Sequence, residues 1–170
     1  MKEYYWDGEN YLYVEKTHDT ISYYLNRILH RNDGPAKIEY NNDGNISKEE
    51  YWINNEIYRE NGPSVIYYFK DGSIFNEIYF KNNEIHRENK PARIFYYENG
   101  LVFLEENLYN GLFHKIDGPA VIWYYHDNNN LKQYYFNGIE FEPDKLPFEL
   151  PIDTKEKEFL FNLKYGVNND

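Results

Sequence analysis

The phrase LHRNDGPAKIEY, which begins at Leu29, decides the fold because the chain repeats it three more times. IYRENGPSVIYY begins at Ile57, IHRENKPARIFY at Ile85 and FHKIDGPAVIWY at Phe113. The prolines of the four phrases therefore recur every 28 residues, at Pro35, Pro63, Pro91 and Pro119. A recurrence of this period indicates an array of like structural units, each burying its apolar surface against its neighbours.

Each unit has the pattern of a β-hairpin. Residues 36–40 (AKIEY) alternate apolar and polar side chains, the period of a half-buried strand. Asp43-Gly44 and Asp71-Gly72 supply the positive-φ residues of a tight turn. A return strand follows, over 74–80 in the second unit, and ends at an Asn-Asn or Asn-Gly turn. We therefore predict hairpins that stack about 10 Å apart, two strand spacings, with proline opening each first strand.

The predicted fold class is all-β: an elongated antiparallel sheet of stacked β-hairpin repeats with a short C-terminal capping helix. An atypical half-repeat occupies residues 1–28 and caps the array. Four repeats follow, over 29–56, 57–84, 85–112 and 113–140. A Pro-rich linker and the helix complete the chain over 141–170.

The helix is predicted from its boundary signals. Asp153 is the expected N-cap, and Gly166 is the expected stop. Phe159, Leu160 and Leu163 share one helical face. We interpret this segment as a cap over the last strand, since an open repeat sheet leaves a bare edge. A helix that docks onto a partner is the alternative.

Composition excludes several classes of function. The 170 residues carry 29 Asp+Glu against 18 Lys+Arg, a net charge of −11, which disfavours binding to nucleic acid or to an anionic membrane. The chain has no cysteine, so disulfides and thiolate chemistry are excluded. No secretory signal and no apolar run of about 18 residues is present, so we expect an intracellular or virion location without a membrane span.

Alternation along the first strands creates two columns of side chains. One column recurs with little change and is assigned to the packed face: Ala36/Ser64/Ala92/Ala120, Ile38/Ile66/Ile94/Ile122 and Tyr40/Tyr68/Tyr96/Tyr124. The other column grows more aromatic toward the C-terminus: Lys37/Val65/Arg93/Val121 and Glu39/Tyr67/Phe95/Trp123. We name Tyr67, Phe95, Trp123, Val65 and Arg93 as candidate protein-binding residues. The alternative is that these aromatic side chains pack on a second face or on the C-terminal segment.

Charged and imidazole side chains also recur. Arg31, Arg59, Arg87 and Lys115 stand beside acidic residues, namely Asp33, Glu60, Glu88 and Asp117. We favour a ladder of salt bridges between hairpins over a charged binding ridge, because recurrence at every unit suits a stacking role. Whole repeats separate His30, His86 and His114, too far for a shared metal, so we interpret them as structural.

These recurring residues, from HRxDGPA through the following Ile-x-Tyr to the Asp-Gly turn, resemble the MORN-repeat families. In particular they resemble the longer HRxDGPA variant of large DNA viruses, phages and bacteria, over Tyr23 to Glu140. The resemblance implies sheets of stacked hairpins that act as scaffolds or protein-binding platforms, and antitoxin-like proteins among the bacterial relatives. The Asn-, Ile- and Tyr-rich composition is compatible with a viral source.

The chain departs from this pattern at several positions. Lys90 stands where the other units have glycine, Tyr58 replaces histidine and Lys115 replaces arginine. The third loop must either strain Lys90 or change its turn type. If Lys90 has a positive φ, we expect Lys90→Gly to be neutral or stabilising.

No nucleophile–base constellation, phosphate-binding loop, dinucleotide fingerprint or zinc-protease motif occurs in the sequence. We therefore expect a non-enzymatic scaffold that binds a protein partner, without cofactor or metal and without nucleic acid. The alternative is an acidic, antitoxin-like inhibitor that blocks a basic cleft of a partner enzyme. Self-association through open sheet edges is a further expectation.

Overall fold

A computed structural model describes residues 1–6 and 10–166, and for Tyr5 and Trp6 it describes the backbone only. Asp7 and Gly8, around which the sequence suggests an N-terminal hairpin, lie outside the described residues. In chain order, the strands are β1 Lys2–Trp6, β2 Tyr11–Lys16, β3 Thr20–Leu25, β4 Ile28–Leu29, β5 Lys37–Tyr40, β6 Ile46–Glu50, β7 Trp52–Ile53, β8 Glu56–Ile57, β9 Val65–Tyr68, β10 Ile74–Ile78, β11 Phe80–Lys81, β12 Glu84–Ile85, β13 Arg93–Tyr96, β14 Val102–Glu106, β15 Leu108–Tyr109, β16 Leu112–Phe113, β17 Val121–Trp123, β18 Leu131–Phe136 and β19 Ile139–Phe141. One helix of eleven residues, α1 Lys155–Tyr165, follows a 3₁₀ turn at Pro143–Lys145.

Thirteen of the described strands form one long antiparallel sheet, which confirms the predicted fold class. Its order is β1-β2-β3-β5-β6-β9-β10-β13-β14-β17-β18-β19, with β4 paired to β3. The long hairpins of the first two units turn at the predicted Asp-Gly pairs, where Gly44 and Gly72 have φ of 81° and 88°. The third turns at Asn99-Gly100, where Gly100 has φ 80°. In the fourth unit Asn128 takes this conformation with φ 59°.

A second, shorter hairpin in each of the first three units was not predicted. The expected return strand over 74–80 ends at Ile78, the chain breaks the ladder at Tyr79, and Phe80 starts a separate strand. The short hairpins β7–β8, β11–β12 and β15–β16 turn at Asn-Asn or Asn-Gly pairs in which both residues have positive φ, as a type I′ turn requires. Asn54 and Asn55, for example, have φ of 51° and 66°.

The small residue after each proline joins neighbouring units. The amide N–H of Ala92 donates to Glu106 of its own unit, and its carbonyl accepts from Tyr79 of the preceding unit, at 2.8 and 2.9 Å. Ala36, Ala92 and Ala120 are fully buried and Ser64 is 1% exposed, as the packed column predicts. The other column is buried in part as well, because Val65 and Val121 are 3% and 4% exposed. Both faces of the sheet therefore contribute to its packing.

The third loop changes its turn type instead of straining Lys90. Among the non-glycine residues with positive φ is Asn89, at 57°, whereas Lys90 is not one of them. Asparagine tolerates the left-handed region better than lysine because its short side chain bonds to the local backbone. The premise that made Lys90→Gly neutral or stabilising is therefore wrong.

Helix α1 packs against the last hairpin, as predicted, but with a different face. Phe161 is fully buried against Phe136 and Phe141, with ring centroids 5.1 and 5.2 Å away. Phe159 and Leu163, expected to pack, are 61% and 70% exposed. The N-cap is Thr154 instead of Asp153, and its hydroxyl accepts from the amide of Lys157. Gly166 ends the helix as predicted, with φ 69°.

Candidate functional site

Four aromatic rings form a continuous row across four consecutive strands of the long sheet. We call this row the aromatic stripe; it comprises Phe75 of β10, Phe95 of β13, Phe103 of β14 and Trp123 of β17. Successive ring centroids lie 5.8, 5.8 and 6.2 Å apart, in edge-to-face and tilted pairs. These separations are those of favourable aromatic contacts. All four side chains are half-buried, so each ring retains an exposed part.

Two of the four rings, Phe75 and Phe103, were missed from the sequence. Asn76 pairs with Tyr67 and Phe95, so these three side chains lie on one face of the sheet. Regular alternation would place the neighbouring Phe75 on the opposite face. A β-bulge interrupts each return strand here, since the register jumps over Phe75 and over Phe103. A bulge re-aims the side chain at the extra residue, and the rings then contact Phe95. The recurrence of phenylalanine 28 residues apart was the available signal.

The five predicted binding residues are not equivalent. Phe95 and Trp123 belong to the aromatic stripe. Tyr67 is half-buried on the same face, and the Lys48 ammonium lies 5.1 Å from its ring centroid. Val65 is buried at 3% exposure and offers almost no surface to a partner.

Arg93 is engaged in a partly buried ion pair beside the stripe. Its Nε lies 2.9 Å from Glu106 Oε2, without the alignment of a hydrogen bond. Burial raises the pKa of the Glu106 carboxyl, and the Arg93 charge opposes this shift. The guanidinium also lies 6.0 Å from the Phe95 ring centroid. Arg93 therefore lies beside the aromatic stripe as part of an ion pair, and it is not a freely exposed side chain that a partner could contact.

The same sheet face is charged at its N-terminal end. Lys37 and Glu39 form an ion pair at 2.6 Å, and Lys48 pairs with Glu50. Trp52 Nε1 donates to Glu50 Oε2 at 3.0 Å. The face therefore changes from paired charges over β5 and β6 to aromatic rings over β10 to β17.

Helix α1 does not cover the aromatic stripe. The apolar cluster beneath the helix is built on Phe136, Phe141, Ile152 and Phe161 and contains no stripe residue. The ring contacts found for the stripe within residues 1–6 and 10–166 are to Phe69, Tyr97 and the stripe itself. Packing on the C-terminal segment, the alternative left open by the sequence, therefore does not explain these rings.

The loops on the edge of the array are held by stacked arginine and tyrosine side chains. The guanidinium carbons of Arg31, Arg59 and Arg87 lie 4.1, 3.9 and 3.6 Å from ring centroids, those of Tyr23, Tyr51 and Tyr79. Such contacts contribute about 0.5–2 kcal/mol each, depending on how far they are desolvated. In the fourth unit both partners change together, to Lys115 and Asn107.

Close approach of the guanidinium explains the loop glycines. A Cβ at Gly34 would lie 3.1 Å from Arg31 Cζ, and a Cβ at Gly62 would lie 3.2 Å from Arg59 Cζ.

The predicted ladder of loop salt bridges is wrong in most units. Within the described residues, the arginine or lysine pairs with the acidic residue of its own loop only at Arg31–Asp33, at 2.7 Å.

Tyrosine–carboxylate hydrogen bonds link consecutive units on the packed face. The hydroxyls of Tyr68, Tyr96 and Tyr124 donate to Glu49, Glu77 and Glu105 at 2.9, 2.9 and 2.7 Å. Burial and the neighbouring carboxylate raise the pKa of the Tyr68 and Tyr96 hydroxyls, and they raise that of Tyr124 to about 12. These hydroxyls are therefore donors at neutral pH.

Each recurring histidine accepts a backbone hydrogen bond from the next short turn. The Nδ1 atoms of His30, His86 and His114 accept from the amides of Asn54, Asn110 and Asn137 at 3.0, 3.2 and 3.2 Å. This contact gives the three side chains a structural role. Burial lowers the pKa of His114.

Comparison with known proteins finds no family model that matches this chain and no curated protein whose sequence matches it significantly. In the described part of the chain, no helix has the length and apolarity that a membrane span requires.

Proposed function

We propose that this chain is a non-enzymatic scaffold that presents the aromatic stripe to a protein partner. The observation that supports this proposal is the row of four half-buried rings on consecutive strands, which helix α1 leaves uncovered. Aromatic side chains bring large contact area with few rotatable bonds, and they dominate the energetic centres of protein interfaces.

The surroundings of the stripe suit a protein partner. The Arg93–Glu106 ion pair lies beside the rings, and the Lys37–Glu39 pair lies further along the same face, as polar groups border the apolar centre of an interface. The net charge of −11 opposes base stacking on the same rings by a nucleic acid. The resemblance to MORN-like repeats supports a scaffold, since those families bind proteins through stacked hairpins.

Affinity capture from the cognate cell lysate, at low and high salt, tests the proposal. The bait is the chain itself, compared with Phe103→Ser and Trp123→Ser. The control bait is the Phe159→Ser/Leu163→Ser double variant, which removes exposed apolar area from helix α1 instead. We expect one stoichiometric partner that survives high salt, is lost from the two stripe variants and is retained by the control.

Two results would contradict the proposal. A partner that binds all baits equally would show that the stripe is not the contact surface. A basic partner that is lost at high salt from every bait would instead favour the acidic inhibitor, because ionic strength screens charge-driven contacts.

A further inference from the structure

Three clefts lie between successive proline loops along one edge of the array. The first cleft lies between the loops of Arg31 and Arg59, the second between those of Arg59 and Arg87, and the third between those of Arg87 and Lys115. The second is the largest of the three, about 630 Å³ against about 480 and 400 Å³.

The second cleft also differs in charge. Arg59, Lys81 and Arg87 line it against two carboxylates, those of Glu60 and Glu88. The first and third clefts each have two cations against two carboxylates: Arg31 and Arg59 against Asp33 and Glu60, and Arg87 and Lys115 against Glu88 and Asp117. An excess of cationic groups in this cleft stands out on a chain whose net charge is −11.

His86 supplies an unused donor in the wall of the second cleft. Its side chain is 4% exposed, and Nε2 is buried without a hydrogen-bond partner. Because Nδ1 accepts the Asn110 amide proton, as in the two equivalent histidines, the proton of the neutral ring is on Nε2. Asn110 Oδ1 lies 2.9 Å from the same Nδ1, and exchange of the side-chain O and N atoms, which are nearly equivalent in shape, directs the NH₂ group there as a second donor. A buried N–H group without an acceptor costs free energy that an incoming acceptor recovers.

The two guanidinium groups of this cleft are held in place. Arg59 stacks on Tyr51 and Arg87 stacks on Tyr79, and Arg87 also donates to the Pro91 carbonyl at 3.2 Å. Neither forms an ion pair with a carboxylate within the described residues, in contrast to Arg31. Burial and the Glu77 charge raise the pKa of the Tyr79 hydroxyl, and the charges of Arg87 and Arg59 oppose this rise, so both guanidinium groups act on the same ring. Their remaining N–H groups are preorganised donors for an anion.

A carboxylate already approaches these donors. Glu88 Oε1 lies 2.8 Å from Lys81 Nζ and 3.9 Å from His86 Nε2, and its side chain is 64% exposed. Glu88 lies too far from His86 for a hydrogen bond, and its exposure leaves it free to move aside. The position of the Glu88 carboxylate therefore indicates that an oxyanion of a ligand can reach the same donors.

We propose that the second cleft is an oxyanion-binding site, in which His86 Nε2, Arg59 and Arg87 bind a single carboxylate or phosphate group. Charge-assisted hydrogen bonds from a buried N–H group and two fixed guanidinium groups give the required donor set. The site lies on the loop edge, and none of its residues belongs to the aromatic stripe. It is therefore independent of the proposed scaffold function.

Titration of the full chain with inorganic phosphate and, separately, with acetate tests this site by NMR of the His86 side chain at constant chloride. We expect a saturable shift of the His86 Nε2 resonance with at least one of the two anions. A response to both anions indicates that the site binds oxyanions in general. A response to one anion alone indicates whether the ligand group is a phosphate or a carboxylate. The absence of a saturable shift with either anion overturns the proposal.

Variants locate the bound anion. Arg59→Gln and Arg87→Gln should weaken binding at least about tenfold, the factor that corresponds to loss of one charge-assisted contact. Arg31→Gln is the matched control in the first cleft and should leave the affinity within about twofold, because its guanidinium is occupied by Asp33. An equal loss in all three variants would overturn the proposal, since it would indicate a nonspecific response to charge.

Glu88→Gln separates the site from any effect on folding. Removal of this carboxylate frees Lys81 and removes a competitor, so it should tighten anion binding several-fold. Weaker binding by a folded Glu88→Gln variant would contradict the assignment of the cleft, because it would make Glu88 part of the site instead of a competitor.

Discussion

Single tyrosine hydroxyl groups help to hold neighbouring units in register. Tyr96 donates to Glu77 of the preceding unit, whereas Ile21 occupies the equivalent position before Tyr40. In the described structure Tyr40 consequently has no such hydrogen bond. The column of tyrosines thus contains Tyr96, whose hydroxyl bonds to the preceding unit, and Tyr40, which is also half-buried but lacks that bond.

We predict that Tyr96→Phe lowers the free energy of unfolding by about 1–2 kcal/mol, since it removes a hydrogen bond to a charged group that is half-buried. Tyr40→Phe is the matched control and should change stability by less than about 0.5 kcal/mol. Urea unfolding of both variants checks the difference. Equal losses would show that the hydroxyl–carboxylate bond does not register the units.

His114 makes stability depend on pH. Burial lowers its pKa below the ordinary value of 6.5, and its neutral Nδ1 accepts the Asn137 amide while Glu158 partly opposes the shift. The unfolded chain therefore binds a proton more readily than the folded chain, so stability rises with pH in this window. We predict that this contribution is complete above pH 6.5 and is lost as pH falls through the lowered pKa.

Unfolding measured between pH 7.5 and 5 tests this dependence in comparison with His114→Gln. The variant should lose less stability than the natural chain over this interval, because glutamine does not titrate. An identical pH dependence in both proteins would assign the effect to other groups.

At the scale of the element, helix α1 is attached to the sheet mainly through one side chain. Phe161 is fully buried between Phe136 and Phe141, whereas Phe159 on the same helix is 61% exposed. We predict that Phe161→Ala destabilises the protein by about 3–5 kcal/mol, the usual cost of a phenylalanine-sized cavity. Phe159→Ala should change stability by less than about 0.5 kcal/mol. Thermal unfolding of the two variants checks this, and comparable losses would contradict the attachment of the helix through Phe161.

The difference between these two helix faces shows why local patterns were insufficient. Phe159 and Leu163 are four residues apart, but so are Phe161 and Tyr165, and spacing alone does not decide which pair faces the sheet. The decision depends on Phe136 and Phe141, whose positions follow from the last hairpin. Boundary signals are local, so Gly166 was predicted correctly, and the N-cap, Thr154, lies one residue from the predicted Asp153.

Strand patterns were predictable where a regular period of two continues. The Asp-Gly turns and the alternation after each proline predicted the long hairpins and the sheet. The break at Tyr79 and the bulges at Phe75 and Phe103 interrupt that period without a Gly or Pro signal. The short hairpins and half of the aromatic stripe were therefore not predicted.

At the scale of the whole molecule, the chain resembles a one-dimensional stack. Each unit contacts its neighbours through main-chain ladders, arginine–tyrosine stacks and tyrosine–glutamate bonds, so stability is distributed along the array. The C-terminal end is covered by α1, whereas β1 pairs only with β2 in the described sheet. The long sheet carries the aromatic stripe on its face, and this is where we place the partner.

The central claim is that this aromatic region binds a protein, and the most direct measurement is the dissociation constant of the captured complex at low and high salt. For the natural chain we predict little change with salt, and for Trp123→Ser a loss of affinity of at least about tenfold, since buried aromatic anchors contribute about 2 kcal/mol or more. The Phe159→Ser/Leu163→Ser control should bind as the natural chain does. Unchanged affinity in a folded Trp123→Ser variant, or affinity that salt abolishes, would contradict the claim.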